Sequence, residues 1–216
     1  MAITAKLVSE LRAKTGAGIM DCKKALVESD GDMTKAVEYL QKKSLAAVAK
    51  RAGKIAAEGA VYSYIHDGRV GAMVEVNSET DFVARGDDFQ AMIKNIAMHI
   101  AASNPTYLDS SEIPAEVTDK QKEIYAAQLL AEGKPEAMIE RIMVGKLKKW
   151  HRDVCLLNQD YVKDDKLSVQ EYVTEVASTI KENIKVRRFV RFELGEGIEK
   201  KEEDFAAEVA AAASGV

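Results

Sequence analysis

The residues of this 216-residue chain with chemistry to offer are few: three histidines, two cysteines, one Gly-Ala-Gly turn and a phenylalanine, Phe82, set among charges. His66, His99 and His151 stand far apart, with neither metal-ligand spacing nor the spacing of a nucleophile and its base. No catalytic residue, metal or cofactor is expected from them. Cys22 and Cys155 are too few for a disulfide scaffold and favour a reducing compartment. Gly16-Ala17-Gly18 has no strand before it and no third glycine after it, so the dinucleotide fingerprint is incomplete. Lys23-Lys24 lack the glycine and hydroxyl neighbours of a phosphate loop. What remains is Thr80-Asp81-Phe82-Val83.

Phenylalanine is usually buried. Phe82, however, stands where a strand pattern breaks into Asn77-Ser78-Glu79 and before a helix that begins near Phe89, with acids and Arg85 around it. A large ring at such a junction is placed to project as a wedge. Ile19 and Met20, directly after the Gly16–Gly18 turn, pose a similar choice between capping a small core and forming a docking surface.

The elements that position these residues follow from period and punctuation. Thr4 caps a helix with Leu7, Val8 and Leu11 at helical spacing. A second helix covers residues 19–28, and Asp32 caps a third that carries Met33, Ala36, Val37 and Leu40. A basic connecting helix is expected over 44–58. Residues 60–76 read as a β-hairpin turning at Asp67-Gly68, a pair that accepts positive φ. Over 87–103, Phe89, Met92, Ile93, Ile96 and Ile100 form one stripe, and His99 lies about 60° off its centre, on the shoulder. Such a histidine is more often structural than functional.

Further helices are expected over 118–131 and from Pro135 toward Trp150, with Lys146, Lys148 and Lys149 at a solvated end. Residues 154–162 read as irregular or strand-like. Ser168 and Glu171 make a capping box for a helix reaching about Asn183. Residues 185–193 read as a strand with Arg188, Val190 and Phe192 on one face and Phe189 and Arg191 on the other. A last helix over 198–212 presents Phe205, Ala206 and Val209. The fold class is α+β: a three-helix module (1–55), a core with a small antiparallel sheet of about three strands packed by helices (56–195), and a C-terminal helix (196–216).

Composition narrows the function classes. Hydrophobic residues are 47% and charged residues 31%, as in soluble globular proteins, and the net charge of −4 calls for neither nucleic acid nor an anionic membrane. The sign is uneven: residues 1–55 hold eleven Lys and Arg against six Asp and Glu, whereas the chain from Glu193 onward is acidic. No apolar run reaches membrane-spanning length, and the first residues resemble neither a signal peptide nor an Arg-rich transit sequence. A cytoplasmic location is expected. Without an aromatic-studded basic surface, direct nucleic-acid binding is not.

Three separated motifs carry a family resemblance. Leu7-Val8, Leu11-Arg12 and Thr15-Gly16-Ala17-Gly18-Ile19-Met20-Asp21-Cys22-Lys23-Lys24-Ala25-Leu26 resemble the N-terminal domain of the bacterial elongation factor Ts family. Val74-Glu75-Val76-Asn77 with Thr80-Asp81-Phe82-Val83-Ala84 resembles its central signature, and Phe192-Glu193, Gly195-Glu196-Gly197-Ile198-Glu199-Lys200 and Asp204–Val209 resemble its C-terminal one. The order is kept from about Ile3 to Ala210. Asp160-Tyr161 departs from the family's usual Pro-Phe.

The resemblance implies guanine nucleotide exchange on elongation factor Tu, without covalent chemistry. It places Thr80, Asp81, Phe82 and Val83 on a segment that intrudes near the GTPase magnesium and phosphate site. It makes Arg12, Ile19 and Met20 partner-binding residues and implies that His99 reaches the GTPase near its phosphate loop. The three-helix module also resembles ubiquitin-associated domains, so a plain adaptor is the alternative. Long family members carry a second sheet-and-helix unit and an inserted helical hairpin. Here one such unit fits, between about Ile55 and Leu194, so the chain resembles the short form, which tends to form a homodimer in which the two sheets cover each other. Independently of family, a small sheet of this kind leaves one face to be covered.

Overall fold

The computed structural model describes residues 3–198, and the helix expected over 198–212 lies, after its first residue, outside the described residues. The N-terminal helices start and stop where short polar residues and glycine dictate. Thr4 Oγ1 accepts from Leu7 N–H to open α1 (Ala5–Thr15), and Gly16 closes it in the left-handed region. Helix α2 (Ile19–Glu28) follows, and Asp32 then accepts from the N–H groups of Thr34 and Lys35 to open α3 (Met33–Arg51). Leu11, Cys22, Ala25, Leu26, Ala36 and Leu40 form their shared core. The expected connecting helix is not separate: α3 runs unbroken through residues 44–51, because Ser44-Leu45-Ala46-Ala47 contains no helix breaker. Its second half packs on α8 (Val169–Ile180), where Ser44 and Ser178 share a hydroxyl–hydroxyl bond.

The hairpin joins β1 (Glu58–His66) and β2 (Val70–Ser78) in continuous antiparallel register, and β5 (Lys185–Glu193) pairs on the other side of β2. Asp67 and Gly68 turn it with φ of 48° and 67°, the positive pair of a type I′ connection. Gly59 is obligatory: at φ 139° an added Cβ would lie 2.1 Å from the Val76 carbonyl oxygen. A bulge between β2 and β5 adds Arg187 opposite the Glu75–Val76 step, so Arg187 and Arg188 both reach the Glu75 carboxylate, at 2.7 and 2.6 Å.

One sheet face carries Ala72, Val74, Val76 and Val186 onto α5 (Asp87–Ser103), whose stripe of Phe89, Met92, Ile93, Ile96 and Ile100 is buried as its period requires. Among the described residues, no element covers the other face. Its rows are Ile65–Gly71–Phe192, Ser63–Met73–Val190 and Val61–Glu75–Arg188, and Val61, Ile65, Met73, Val190 and Phe192 are all exposed.

Helices α6 (Ala115–Ala131) and α7 (Glu136–Val154) pack on each other as a hairpin. Pro114 and Pro135 stand just before them, so α6 starts three residues earlier than Thr118. Lys146 lies over the Tyr125 ring at 5.3 Å rather than simply in solvent.

A 3₁₀ turn (Leu156–Asn158) leads to a two-stranded ribbon of β3 (Asp160–Tyr161) and β4 (Asp164–Ser168). The sequence Lys163-Asp164-Asp165-Lys166 has no alternating apolar residues, so β4 is invisible to period. At the departure from Pro-Phe, Asp160 pairs with Arg152 and Tyr161 stacks on Tyr172 with centroids 4.3 Å apart.

Helix α8 has the full capping box between Ser168 and Glu171. Ser168→Ala should lower unfolding stability by about 1 kcal/mol, read as a shift in urea midpoint without a change in slope. The helix ends at Ile180, earlier than Asn183, because Lys181 turns left-handed at φ 66°. Glu182 and Asn183 are thereby freed from the helix.

Candidate functional site

Thr80 to Val83 form the start of α4 (Asp81–Ala84), a single turn between the end of β2 and α5. Thr80 is its N-cap, with Oγ1 accepting from Val83 N–H at 3.3 Å. Ala84 is the buried end of the turn, which orients the opposite side outward. Phe82 is there, 84% exposed. Asp81, also on the exposed side, pairs with Arg85 at 2.9 Å. The ring thus projects from an otherwise anchored turn instead of tucking into the core.

The base of the turn is tied to residues about a hundred positions away. Thr80 N–H donates to Glu182 Oε2 at 3.1 Å, and its hydroxyl donates to Glu182 Oε1 at 2.7 Å. In return, Asn183 N–H donates to Glu79 Oε1 at 2.7 Å. Lys54 Nζ reaches Glu79 Oε2 at 2.7 Å, and Asn183 Nδ2 donates to the Lys54 carbonyl at 2.8 Å. The Lys54 ammonium and then the Asn183 amide hold the Glu79 carboxyl below its usual range. Sequence reasoning missed these residues. Glu182 and Asn183 look like an ordinary polar helix end, and no short-range signal marks their meeting with Glu79 and Thr80.

In the N-terminal module, Ile19 and Met20 are 56% and 74% exposed, so they do not cap the core. Arg12 is exposed too, and it joins Ile3, Val8, Ile19 and Lys23 around an open groove of about 430 Å³. An apolar patch rimmed by cations suits a partner surface with the reverse charge.

His99 lies elsewhere. The ring is fully buried, in the stripe's shadow rather than on an outward shoulder. Its Nε2–H donates to Gln159 Oε1 at 2.9 Å, while Nδ1 accepts from Val162 N–H at 3.3 Å. Gln159 in turn donates to the carbonyls of Ser103 and Asp153. The histidine thus stitches α5 to the segment that leads into β3. Burial pushes its pKa below the ordinary 6.5, against a smaller upward pull from Gln159.

The unfolded chain takes up a proton near pH 6.5 that the folded ring resists, so folding stability is complete above that pH and falls as pH drops through it. Urea midpoints at pH near 7.5 and near 5.5 should differ more in the wild type than in His99→Gln.

Among the described residues, no group of three His, Cys, Asp or Glu side chains is arranged to hold a metal ion. No described helix is long and apolar enough to cross a membrane.

The family model described as Elongation factor TS matches residues 3–196. Among similar proteins, Elongation factor Ts of Geobacter sulfurreducens is 58% identical over 214 residues, which is 99% of this chain and 99% of that protein. Elongation factor Ts of Acetivibrio thermocellus is 56% identical over 208 residues, covering 96% of this chain and 97% of that one. The like-named protein of Carboxydothermus hydrogenoformans is 55% identical over 211 residues, or 97% of each. Matched over this length and at this identity, the chain belongs to the elongation factor Ts family of translation elongation factors.

Proposed function

We propose that this protein is the guanine nucleotide exchange factor for elongation factor Tu, and that Asp81 and Phe82 open the GTPase's magnesium and phosphate site. The observation that carries this reading is Phe82 itself, 84% exposed on a turn whose base is held by hydrogen bonds. Keeping a large ring in water has no benefit for the free protein's stability. A partner that buries it supplies the reason.

Magnitudes set how the wedge works. Burying one Phe contributes about 1.5–3 kcal/mol, whereas a nanomolar nucleotide is held by about 12 kcal/mol. Phe82 therefore acts as a trigger that disturbs the ligands of the metal and phosphates. A broad interface, including the groove at Arg12 and Ile19 and the exposed Met20, supplies the rest. Coupling is reciprocal: the nucleotide weakens factor binding by the same ratio as the factor weakens nucleotide binding. The reaction makes and breaks no covalent bond, and its setting is the cytoplasm. Contact with nucleic acid runs through the GTPase. His99, being interior, serves by holding α5 and β3 together. The direct test is release of a fluorescent GDP from elongation factor Tu with and without this chain. A simple adaptor of the ubiquitin-associated type would bind without speeding release.

The bare sheet face supports a homodimer. Val61, Ile65, Met73, Val190 and Phe192 form an apolar field around the Glu75–Arg187–Arg188 cluster. A second copy turned over the same face meets a surface of its own apolar character and carries both signs of charge.

A further inference from the structure

We infer that Glu182 and Glu79 are positioning residues for the Phe82 wedge, clamping the base of α4 to the α8–β5 turn and to the end of α3; this rests on the exchange reading above. A four-residue helix cannot hold itself in water, and Phe82 at 84% exposure contributes little anchoring of its own. Its direction is set at Thr80. Both donors of Thr80, the amide and the hydroxyl, end on the two oxygens of Glu182, at 3.1 and 2.7 Å. The same hydroxyl oxygen caps Val83 N–H, so one side chain links the clamp to the turn.

The arrangement is reciprocal. Residue 182 offers its carboxylate to the amide of residue 80, and residue 79 offers its carboxylate to the amide of residue 183, at 2.7 Å. This is the logic of a capping box, spread over more than a hundred residues. A carboxylate that accepts two donors has a fixed orientation as well as a fixed place. The left-handed Lys181 ends α8 just where the chain must turn to present these groups.

Glu79 extends the clamp to the N-terminal side. Its Oε2 receives Lys54, 2.7 Å away, and its Oε1 lies 3.8 Å from Arg51, the last residue of α3. Asn183 closes the circuit through the Lys54 carbonyl. Helix α3 begins in the module that carries Ile19 and Met20, so the docking module and the wedge are joined through one polar knot. Binding by the module is in this way converted into a defined approach of Phe82.

The test is stopped-flow release of fluorescent GDP from elongation factor Tu across a range of factor concentrations. Glu182→Ala should lower the maximal release rate about five- to tenfold, with the half-saturating concentration changed less than about twofold. Glu182→Gln, which still accepts from the Thr80 amide and can donate to its hydroxyl, should restore most of the rate, and Thr80→Val should reproduce the loss. Because the clamp works through the ring, Glu182→Ala added to Phe82→Ala should cause no further slowing. Equal slowing by Glu182→Ala in both backgrounds, or a normal rate in Glu182→Ala while Phe82→Ala is slow, overturns the clamp alone. A normal rate in Phe82→Ala overturns the wedge and the clamp together, and wild-type factor that does not speed release overturns the exchange reading. Thermal melts of each variant identify any that lose rate through unfolding, and for those the Glu182→Gln and Thr80→Val results decide.

Discussion

Phe82→Ala is expected to slow GDP release from elongation factor Tu about ten- to a hundredfold while leaving the free factor folded. The size follows from the ring's apolar area: about 1.5–3 kcal/mol for burying a Phe side chain, with each 1.36 kcal/mol a factor of ten in rate. The lack of effect on folding follows from exposure, since a side chain 84% in water leaves little behind when removed, and surface changes of this kind stay within about 0.5 kcal/mol. The two halves of the result matter together. A buried Phe truncated to Ala costs about 3–5 kcal/mol of stability, so an unchanged melting temperature with slowed release is the signature of a wedge. Release at the wild-type rate would remove Phe82 from the mechanism.

Met73→Lys is expected to turn the proposed dimer into a monomer at micromolar concentration. Met73 lies in the middle row of the bare sheet face, between Ser63 and Val190. In a single copy it is 49% exposed, so a lysine there leaves the fold intact. In the proposed dimer, each copy would bring an ammonium into an apolar interface whose nearest carboxylate, Glu75, is already taken by Arg187 and Arg188. At even about 2 kcal/mol for each of the two unpaired charges, the dissociation constant rises about a thousandfold. Sedimentation at micromolar concentration reads the result. Wild-type protein that sediments as a monomer there, with full exchange activity, would show that the face has another purpose.

Local chemistry made much of the architecture readable. The hairpin at Asp67-Gly68, the box at Ser168 and Glu171, the stripe from Phe89 to Ile100 and the strand ending at Glu193 each depend on residues within a few positions of one another. Period and capping report on such neighbours. For Phe82, residue type favours burial, and only the junction position, the acidic neighbour and the family motifs on either side turn the reading toward a projecting group. The misreadings have equally local causes. A continuous α3 in place of a separate connecting helix reflects a missing breaker between residues 44 and 51, and β4 went unseen because its residues are nearly all charged.

His99 and Glu182 mark the opposite case. An angle of about 60° on a helical wheel puts His99 at the edge of a stripe, yet the residues that enclose it, Gln159 and Val162, are some sixty positions further on. Whether an edge residue meets water or another segment is decided by packing, and burial then selects the neutral ring. Glu182 and Glu79 show the same dependence on distance in the chain: each is an unremarkable surface acid until the fold brings α8 and β2 end to end. The place of Phe82 at a strand–helix junction and of Ile19 and Met20 after a glycine turn is thus written in the order of residues, whereas their exposure, which the order of residues leaves open, is decided by the fold. What holds the wedge in place, and what hides the histidine, belongs to the tertiary structure, because those bonds join groups that only folding makes neighbours.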